Sequence, residues 1–342
     1  MRLLAVFLLS GLLTLAAAAQ KPLDVYVIDV EGGKAMLVVS PSGESMLVDA
    51  GWPSRFATPA GRDIDRIMAA MQAAGIKQID NLLITHLDID HLGDVAALTA
   101  KIKVGRFIDN GPLQTTGRNF EPSYAAYAKV RDTYEHLVPK PGDKLPIKGL
   151  DVQVITAATK WIDKPLAGAG KPNEACATTE AKPELLTDHE DNMSIGLLYT
   201  LGKFRMLDLA DFEWAYEVKL MCPNNPIGTV DVYMTDVHAQ AKAGSPALVH
   251  GVRSQVAIVN NGARKGGDPP ALDIIRKSPG LVDMWQVHAS IAGKDLNAPD
   301  DFIANLEEKC EGKWIKLSAQ PDGTFTVTNG RNGFSKTYKP KR

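Results

Sequence analysis

Short apolar runs separated by glycine and polar breaks fill residues 23–49. Residues 23–30 alternate and are rich in Val, Ile and Tyr, residues 35–40 follow Gly32-Gly33, and residues 45–49 follow Pro41-Ser42-Gly43. This pattern predicts a three-stranded meander with tight turns. Ile64, Ile67, Met68 and Met71 then recur at the spacing of one helical face, predicting a helix over 62–74 that Gly75 ends. The apolar run 81–85 predicts a buried strand, and 93–100 the start of a helix. Further strands are expected over 104–108, 150–156, 195–201, 204–209, 230–234, 256–259 and 281–288. Helices are expected over 124–136, 212–221, 271–277 and around 301–309. A terminal strand pair near 314–318 and 324–328 is turned by Asp322-Gly323. Residues 157–188 are rich in Ala, Gly, Pro, Lys and Thr without a period, and predict a long surface loop, a candidate flap. The recurring helix-then-strand order suits a layered α/β sandwich better than an all-β domain.

The first nineteen residues read differently. Arg2, an apolar run from Leu3 to Leu15 and the small residues Ala16 to Ala19 form the pattern of a secretory signal peptide cleaved after Ala19. Residues 20–342 are then expected as one exported domain, periplasmic or extracellular, with the loop at 157–188 and a C-terminal strand extension. The run is too short for a membrane anchor, and no later stretch is long and apolar enough to cross a bilayer. Three cysteines, Cys176, Cys222 and Cys310, allow one disulfide and a free thiol. None has a Cys or His neighbour at zinc-finger spacing, which argues against a cysteine metal site or nucleophile.

The chain of 342 residues is 45% hydrophobic with a formal net charge of −2. It therefore lacks the overall basic field that drives nucleic-acid binding by counterion release, although a local basic groove stays open. There is no fixed-period repeat, no glycine-rich phosphate loop and no Ser-x-x-Lys pair.

Chemistry concentrates at the end of the strand over 81–85. His86, Asp88, Asp90 and His91 lie within six positions, in a chain with only seven histidines. On an extended segment His86, Asp88 and Asp90 share a side, while His91 turns to the opposite flank. That arrangement suits two adjacent metals better than one. A second polar cluster, His189 to Ser194, precedes the strand over 195–201, and Asp211 ends the next strand. His238 follows the strand over 230–234. His136, in the last turn of a helix, and His250, on a short helix, read as structural.

The turn His86-x-Asp88-x-Asp90-His91 resembles the metallo-β-lactamase superfamily, whose usual motif is His-x-His-x-Asp-His. An aspartate in the second position, with Leu92-Gly93-Asp94 after it, is similar to the ComEC-like branch. Asp29 to Ala35 looks like that branch's opening strand and glycine turn, and Leu47 to Gly51 like the superfamily's first motif. The resemblance implies a four-layer αβ/βα sandwich and a metal-dependent hydrolase using a metal-bridging hydroxide. It implies one metal held by His86, Asp88 and His189, and another held by Asp90, His91 and His238. Asp211 would bridge them, with Asp208 the runner-up, and Asp49 would support the turn from behind. The branch pattern near 189 is dominated by an asparagine and a serine, so Asn192 competes with His189. Where the branch has His-His-Gly-Ser, this chain has Val237-His238-Ala239-Gln240, and Asp268 stands where that branch tends to have histidine.

Mixed imidazole and carboxylate donors suit two divalent ions, zinc first, with manganese or iron as alternatives because Asp88 hardens the site. Asp90, Asp211 and His288 are the expected catalytic groups, His288 as an acid or substrate contact. The expected substrate is a phosphoester or phosphodiester, which Arg264 and Lys265 could meet. A β-lactam or lactone, or a non-catalytic metal- or ligand-binding protein of the same fold, is the competing reading.

Overall fold

The computed structural model describes residues 21–114, 120–187 and 189–340. The leader expected over 1–19 lies outside them.

Two large mixed sheets face each other. The first runs in the order Ser335–Tyr338, Phe325–Asn329, Ile315–Ala319, Leu23–Val27, Met36–Val39, Ser45–Val48, Ile79–Leu83, Val104–Ile108, Glu135–Leu137. The second runs Ile303–Asn305, Asp283–His288, Val256–Val259, Val232–Met234, Phe204–Asp208, Gly196–Leu201, Asp151–Ala157, Lys144–Leu145, with Lys160–Trp161 pairing onto Asp151–Ala157. Alternation along each strand sorts the side chains. Val25, Val27, Val38, Met46 and Val48 of the first sheet pack against Val152, Val154, Leu197, Met206, Val232 and Ile258 of the second, forming the central core. Tyr26, Leu37, Leu47 and Leu82 point the other way, onto the helices Arg62–Ala74 and Val95–Lys101. Leu198, Leu207, Tyr233 and Ala257 pack onto the helices Trp214–Met221, Pro246–Val252 and Pro269–Arg276. Helix, sheet, sheet, helix is the expected αβ/βα order. Among the described residues no helix is long and apolar enough to cross a membrane.

The clearest differences from the sequence-based expectation lie in three regions. The helix placed over 124–136 runs over Phe120–Arg131, and His136 sits in the edge strand Glu135–Leu137 with Nε2 2.8 Å from Asp109 Oδ1. Around 301–309 a single turn, Asp300–Phe302, leads into the strand Ile303–Asn305. Ile303 and Ala304 are apolar on successive positions, so they can cover both faces of a sheet edge, and pairing with Asp283–His288 prevails over helical spacing. The last strand, Ser335–Tyr338, has no counterpart in the expectation. The Trp285 indole donates to the Tyr338 hydroxyl at 2.9 Å, and that hydroxyl donates to Asp283 at 2.7 Å, tying the two sheets together.

The segment 157–187 is anchored against the second outer helix layer. Cys176 is disulfide-bonded to Cys222 at the end of the helix Trp214–Met221. The Asn173 amide donates to Met221 and Ala247 carbonyls. Near the other end, the Glu180 carbonyl accepts from the Trp214 indole.

Candidate metal centre

Parallel strands in both sheets deliver their following loops to one edge of the sandwich, where a parallel α/β arrangement gathers functional groups. Asp49 follows Ser45–Val48, the segment 84–94 follows Ile79–Leu83, Asp211 follows Phe204–Asp208, and His238 follows Val232–Met234.

The turn after Ile79–Leu83 is held from behind by Asp49, which is fully buried. Its carboxylate accepts from the Thr85 amide at 2.8 Å, from the Thr85 hydroxyl at 2.9 Å and from His91 Nδ1 at 2.9 Å. A carboxylate only accepts, so His91 carries a proton on Nδ1, and Nε2 is the ring atom turned inward, toward Asp211. The Thr85 hydroxyl has spent its proton on Asp49, so it accepts from His86 Nδ1 at 3.1 Å, and His86 Nε2 is left bare. Asp88 opens the short helix Ile89–Leu92, which places Asp90 and His91 in its first turn.

The opposite wall comes from three loops. Asp211 Oδ2 lies 3.4 Å from His91 Nε2 and 3.3 Å from His238 Nε2, and Asp90 Oδ2 lies 3.4 Å from His238 Nε2. Asp191 Oδ1 is 4.0 Å from His86 Nε2. Donor atoms within 4.8 Å of one another form three overlapping groups: His86, Asp88 and Asp191; Asp90, His91 and His238; and His86, His91 and Asp211. Nε2 of all three histidines, Asp88 Oδ1 and Asp211 Oδ1 are buried without a hydrogen-bond partner. Such orphaned atoms are costly in a protein interior, and a cation among them is the simplest partner. The donor set therefore fits divalent metal ions, and Asp211 is grouped with one histidine from each of the other two groups.

Burial and neighbouring charge perturb these groups strongly. Burial, with Asp191 and Asp90 alongside, pushes the Asp88 carboxyl up to about 9. Burial and His91 push His86 down to about 4. Burial alone would raise Asp90, but the ammonium of Lys265, together with His238 and His91, holds its carboxyl well below the usual range. Burial likewise opposes ionisation of Asp211, and His238 and His91 outweigh it. Carboxylates crowded at this density need positive charge to coexist.

The structure does not bring His189 into the donor groups. It precedes the single turn Glu190–Met193, its side chain is about one-third exposed, and Nδ1 lies 3.4 Å from Asp191 Oδ1. Asp191, two residues on, is the group that faces His86 and Asp88. The turn redirects the chain: Glu190 accepts from the Leu87 amide, and Asn192 is committed to Glu213, donating from Nδ2 at 2.8 Å. Ser194 Oγ lies 3.3 Å from His86 Nδ1 and accepts from the Asp211 amide. Asp208, the runner-up for the bridge, is occupied by Lys34 at 2.5 Å. His288 is fully buried, but its Nε2 faces Glu31 at 3.9 Å, in a different group of donors from Asp90 and Asp211. His250 Nε2 donates to the Ile274 carbonyl, a structural bond.

Sequence reasoning passed over Asp191, Thr85 and Lys242. Lys242 pairs with Asp191 and with Glu213, and Lys265 pairs with Asp90 while lying 5.0 Å from the Trp52 ring centre. The available signal for Asp191 was that Asp88 had already replaced a histidine in the same group, so a second carboxylate there is consistent.

The clustered imidazole and carboxylate donors have the composition of a metal centre. Residues 28–170 match the family model described as the metallo-beta-lactamase superfamily. ComE operon protein 3 of Bacillus subtilis (strain 168) is 28% identical over 142 residues, which cover 39% of this chain and 18% of that protein. The alignment thus spans under one-fifth of that relative's length. Among solved structures, a putative metal-dependent hydrolase from Parabacteroides distasonis ATCC 8503 is 17% identical, with 76% of this chain and 92% of that chain covered and a TM-score of 0.42. Igni18, a metallo hydrolase from Ignicoccus hospitalis KIN4/I, is 11% identical, with 85% and 98% covered and a TM-score of 0.45.

Proposed function

We propose that this chain is an exported hydrolase that cleaves a phosphoester or phosphodiester at a two-metal centre. One ion is held by His86, Asp88 and Asp191, the other by Asp90, His91 and His238, and Asp211 is shared. Two divalent cations there would supply Lewis acidity toward the phosphoryl oxygens and toward water. Zinc suits the three imidazoles, and four carboxylates extend the range to manganese or iron.

The observation that carries the choice of substrate is the pair of lysines at the rim. Lys265 on Asp90 and Lys242 on Asp191 approach the donor set through different carboxylates, and each side chain is about one-third exposed. Once a cation takes over those carboxylates, both ammonium groups are freed to meet a substrate anion. A phosphoryl group, with charge spread over several oxygens, uses such positioning better than a neutral lactam does. Asp49 and Thr85 keep His91 and His86 in the tautomers that ligation needs. The Asn260 amide, 3.4 Å from His238 Nδ1, can do the same with its oxygen turned toward that ring and its NH2 group toward Thr235. Export rests on the leader pattern over 1–19, and the Cys176–Cys222 disulfide supports an oxidising destination.

The test is hydrolysis by the metal-loaded protein of a chromogenic phosphodiester, set against a chromogenic β-lactam. Phosphodiester turnover with a KM raised about tenfold or more in Lys265→Met is expected. Lactam turnover without phosphodiester turnover would overturn the substrate class, and metal binding without turnover of either would favour a binding protein.

A further inference from the structure

A second group of donors lies on the other side of the glycine turn at 31–33. Asp29 and Glu31 end the first strand's extension, His288 ends the strand Asp283–His288, and Cys310 comes from the C-terminal part of the chain. One donor atom from each of these four residues lies within 4.8 Å of the others. Cys310 is the free cysteine, since Cys176 and Cys222 are joined. Its Sγ lies 3.1 Å from Asp29 Oδ2 and 3.5 Å from Glu31 Oε1.

His288 separates this cluster from an ordinary ion-pair network. The side chain is fully buried, and Nε2 has no hydrogen-bond partner although Glu31 Oε2 stands 3.9 Å away. Nδ1 is 3.1 Å from the Ala289 carbonyl, which only accepts, so the proton is on Nδ1 and Nε2 presents a lone pair to the cluster. A bare imidazole nitrogen, a thiol and two carboxylates therefore converge. We propose that Asp29, Glu31, His288 and Cys310 form a further metal site, separate from the centre at Asp211, for a divalent cation of the zinc class.

Charge agrees with that assignment. Arg66 reaches Asp29 Oδ2 at 3.1 Å and Glu31 Oε1 at 3.2 Å, so two carboxylates and one guanidinium sum to −1. As the sulfur–metal bond forms, the Cys310 proton leaves to solvent and the sum becomes −2, which one dication neutralises. Arg66 can keep its contacts with Asp29 Oδ2 and Glu31 Oε1 while Glu31 Oε2, which faces His288, turns to the ion. One thiolate, one imidazole and two carboxylates give the four-coordinate, mixed-donor shell that zinc accepts. Entry is open: Glu31, Arg66, Asn305, Glu308 and Cys310 line a cleft of about 1110 Å³ that reaches solvent. Burial and Asp29 push the Cys310 thiol up to about 12, so in the absence of a cation the sulfur keeps its proton and donates to the carboxylate.

The site also touches the main centre through backbone. A side-chain carbon on Gly32 would fall 2.7 Å from Lys265 Cβ, and the Lys34 amide donates to the Asp90 carbonyl at 3.0 Å. An ion on Glu31 would thus brace the turn against which Lys265 and Asp90 are packed.

Cobalt(II) provides a test independent of hydrolysis. The centre at Asp211 contains no sulfur, so a near-ultraviolet sulfur-to-cobalt charge-transfer band reports this site alone. Metal-free full-length protein titrated with cobalt(II) is expected to develop that band in the wild type and in Asp90→Ala. The band should be absent in Cys310→Ser, and its half-saturation should rise by about tenfold or more in His288→Gln. Circular dichroism checks that each variant is folded. A folded wild-type protein that gives no charge-transfer band overturns the proposal. So does a band that forms in His288→Gln at the wild-type cobalt concentration. Loss of phosphodiester turnover with the band retained would count against the proposed hydrolytic function and leave this site standing.

Discussion

The two walls of the main centre are built in different ways. The wall from the first sheet is one local segment: four donors lie between His86 and His91, and Asp49 with Thr85 fixes both imidazoles. The wall from the second sheet takes Asp191, Asp211 and His238 from three separate loops, with a strained backbone at the last. Val237, His238 and Ala239 all have positive φ, at 43°, 55° and 60°, a conformation that costs a non-glycine residue about 1–3 kcal/mol. Neighbouring loops hold that run in place. The Val237 amide donates to Ala210, and the amides of Gly267 and Asp268 donate to the carbonyls of His238 and Ala239. Gly266 permits this approach, since a side-chain carbon there would fall 2.2 Å from the His238 carbonyl. A donor cluster can therefore be assembled by local sequence or by fold, and the second route needs more of the molecule to be correct.

The largest effects should come from one carboxylate of each wall. Asp90→Ala and Asp211→Ala are each expected to lower kcat by about 10³-fold or more, with bound metal reduced and the fold kept. Steady-state kinetics alongside elemental analysis checks this, and an active, folded Asp90→Ala would break the account of the first wall. Asp191→Ala should cost about 10²-fold, whereas His189→Ala should stay within about threefold, because only the former removes a donor facing His86. The reverse order would restore His189 and remove Asp191. Asp49→Asn, which keeps the shape but spoils the acceptor for His91 and Thr85, should weaken metal binding by about 10–100-fold in a competition titration.

A smaller effect concerns pH. Asp88 is held near 9 and in the proposed centre would bind metal as the carboxylate, so metal affinity should fall as pH drops below about 9, by up to about tenfold per unit. His86, held near 4, is already neutral above that pH and adds no further competition from protons down to it. Asp88→Asn should bind metal more weakly and flatten that slope, as titrations across neutral and alkaline pH would show.

How much of this was legible in the sequence follows the same division. The strands at 104–108 and 256–259 and the helix at 62–74 were plain because local periodicity and burial agree there. The turn 86–91 was legible because its donors are neighbours in the chain. Asp191 was missed because histidine is the stronger metal signal, and only the turn at 190–193 shows which of two nearby side chains faces inward. The edge strand at 303–305 was missed because pairing with the preceding strand, Asp283–His288, overrode a helical spacing. Cys310 looked isolated because its neighbour Asp29 lies 281 positions away. Spacing rules find sites made by one segment, and contacts of that range come only with the fold.

Anomalous diffraction from crystals of the metal-loaded protein tests the central claim most directly. Two strong peaks should lie in the main centre, one bounded by His86, Asp88 and Asp191 and the other by Asp90, His91 and His238, with Asp211 reaching both. A single peak there, or a shell completed by His189 with Asp191 turned away, would contradict it.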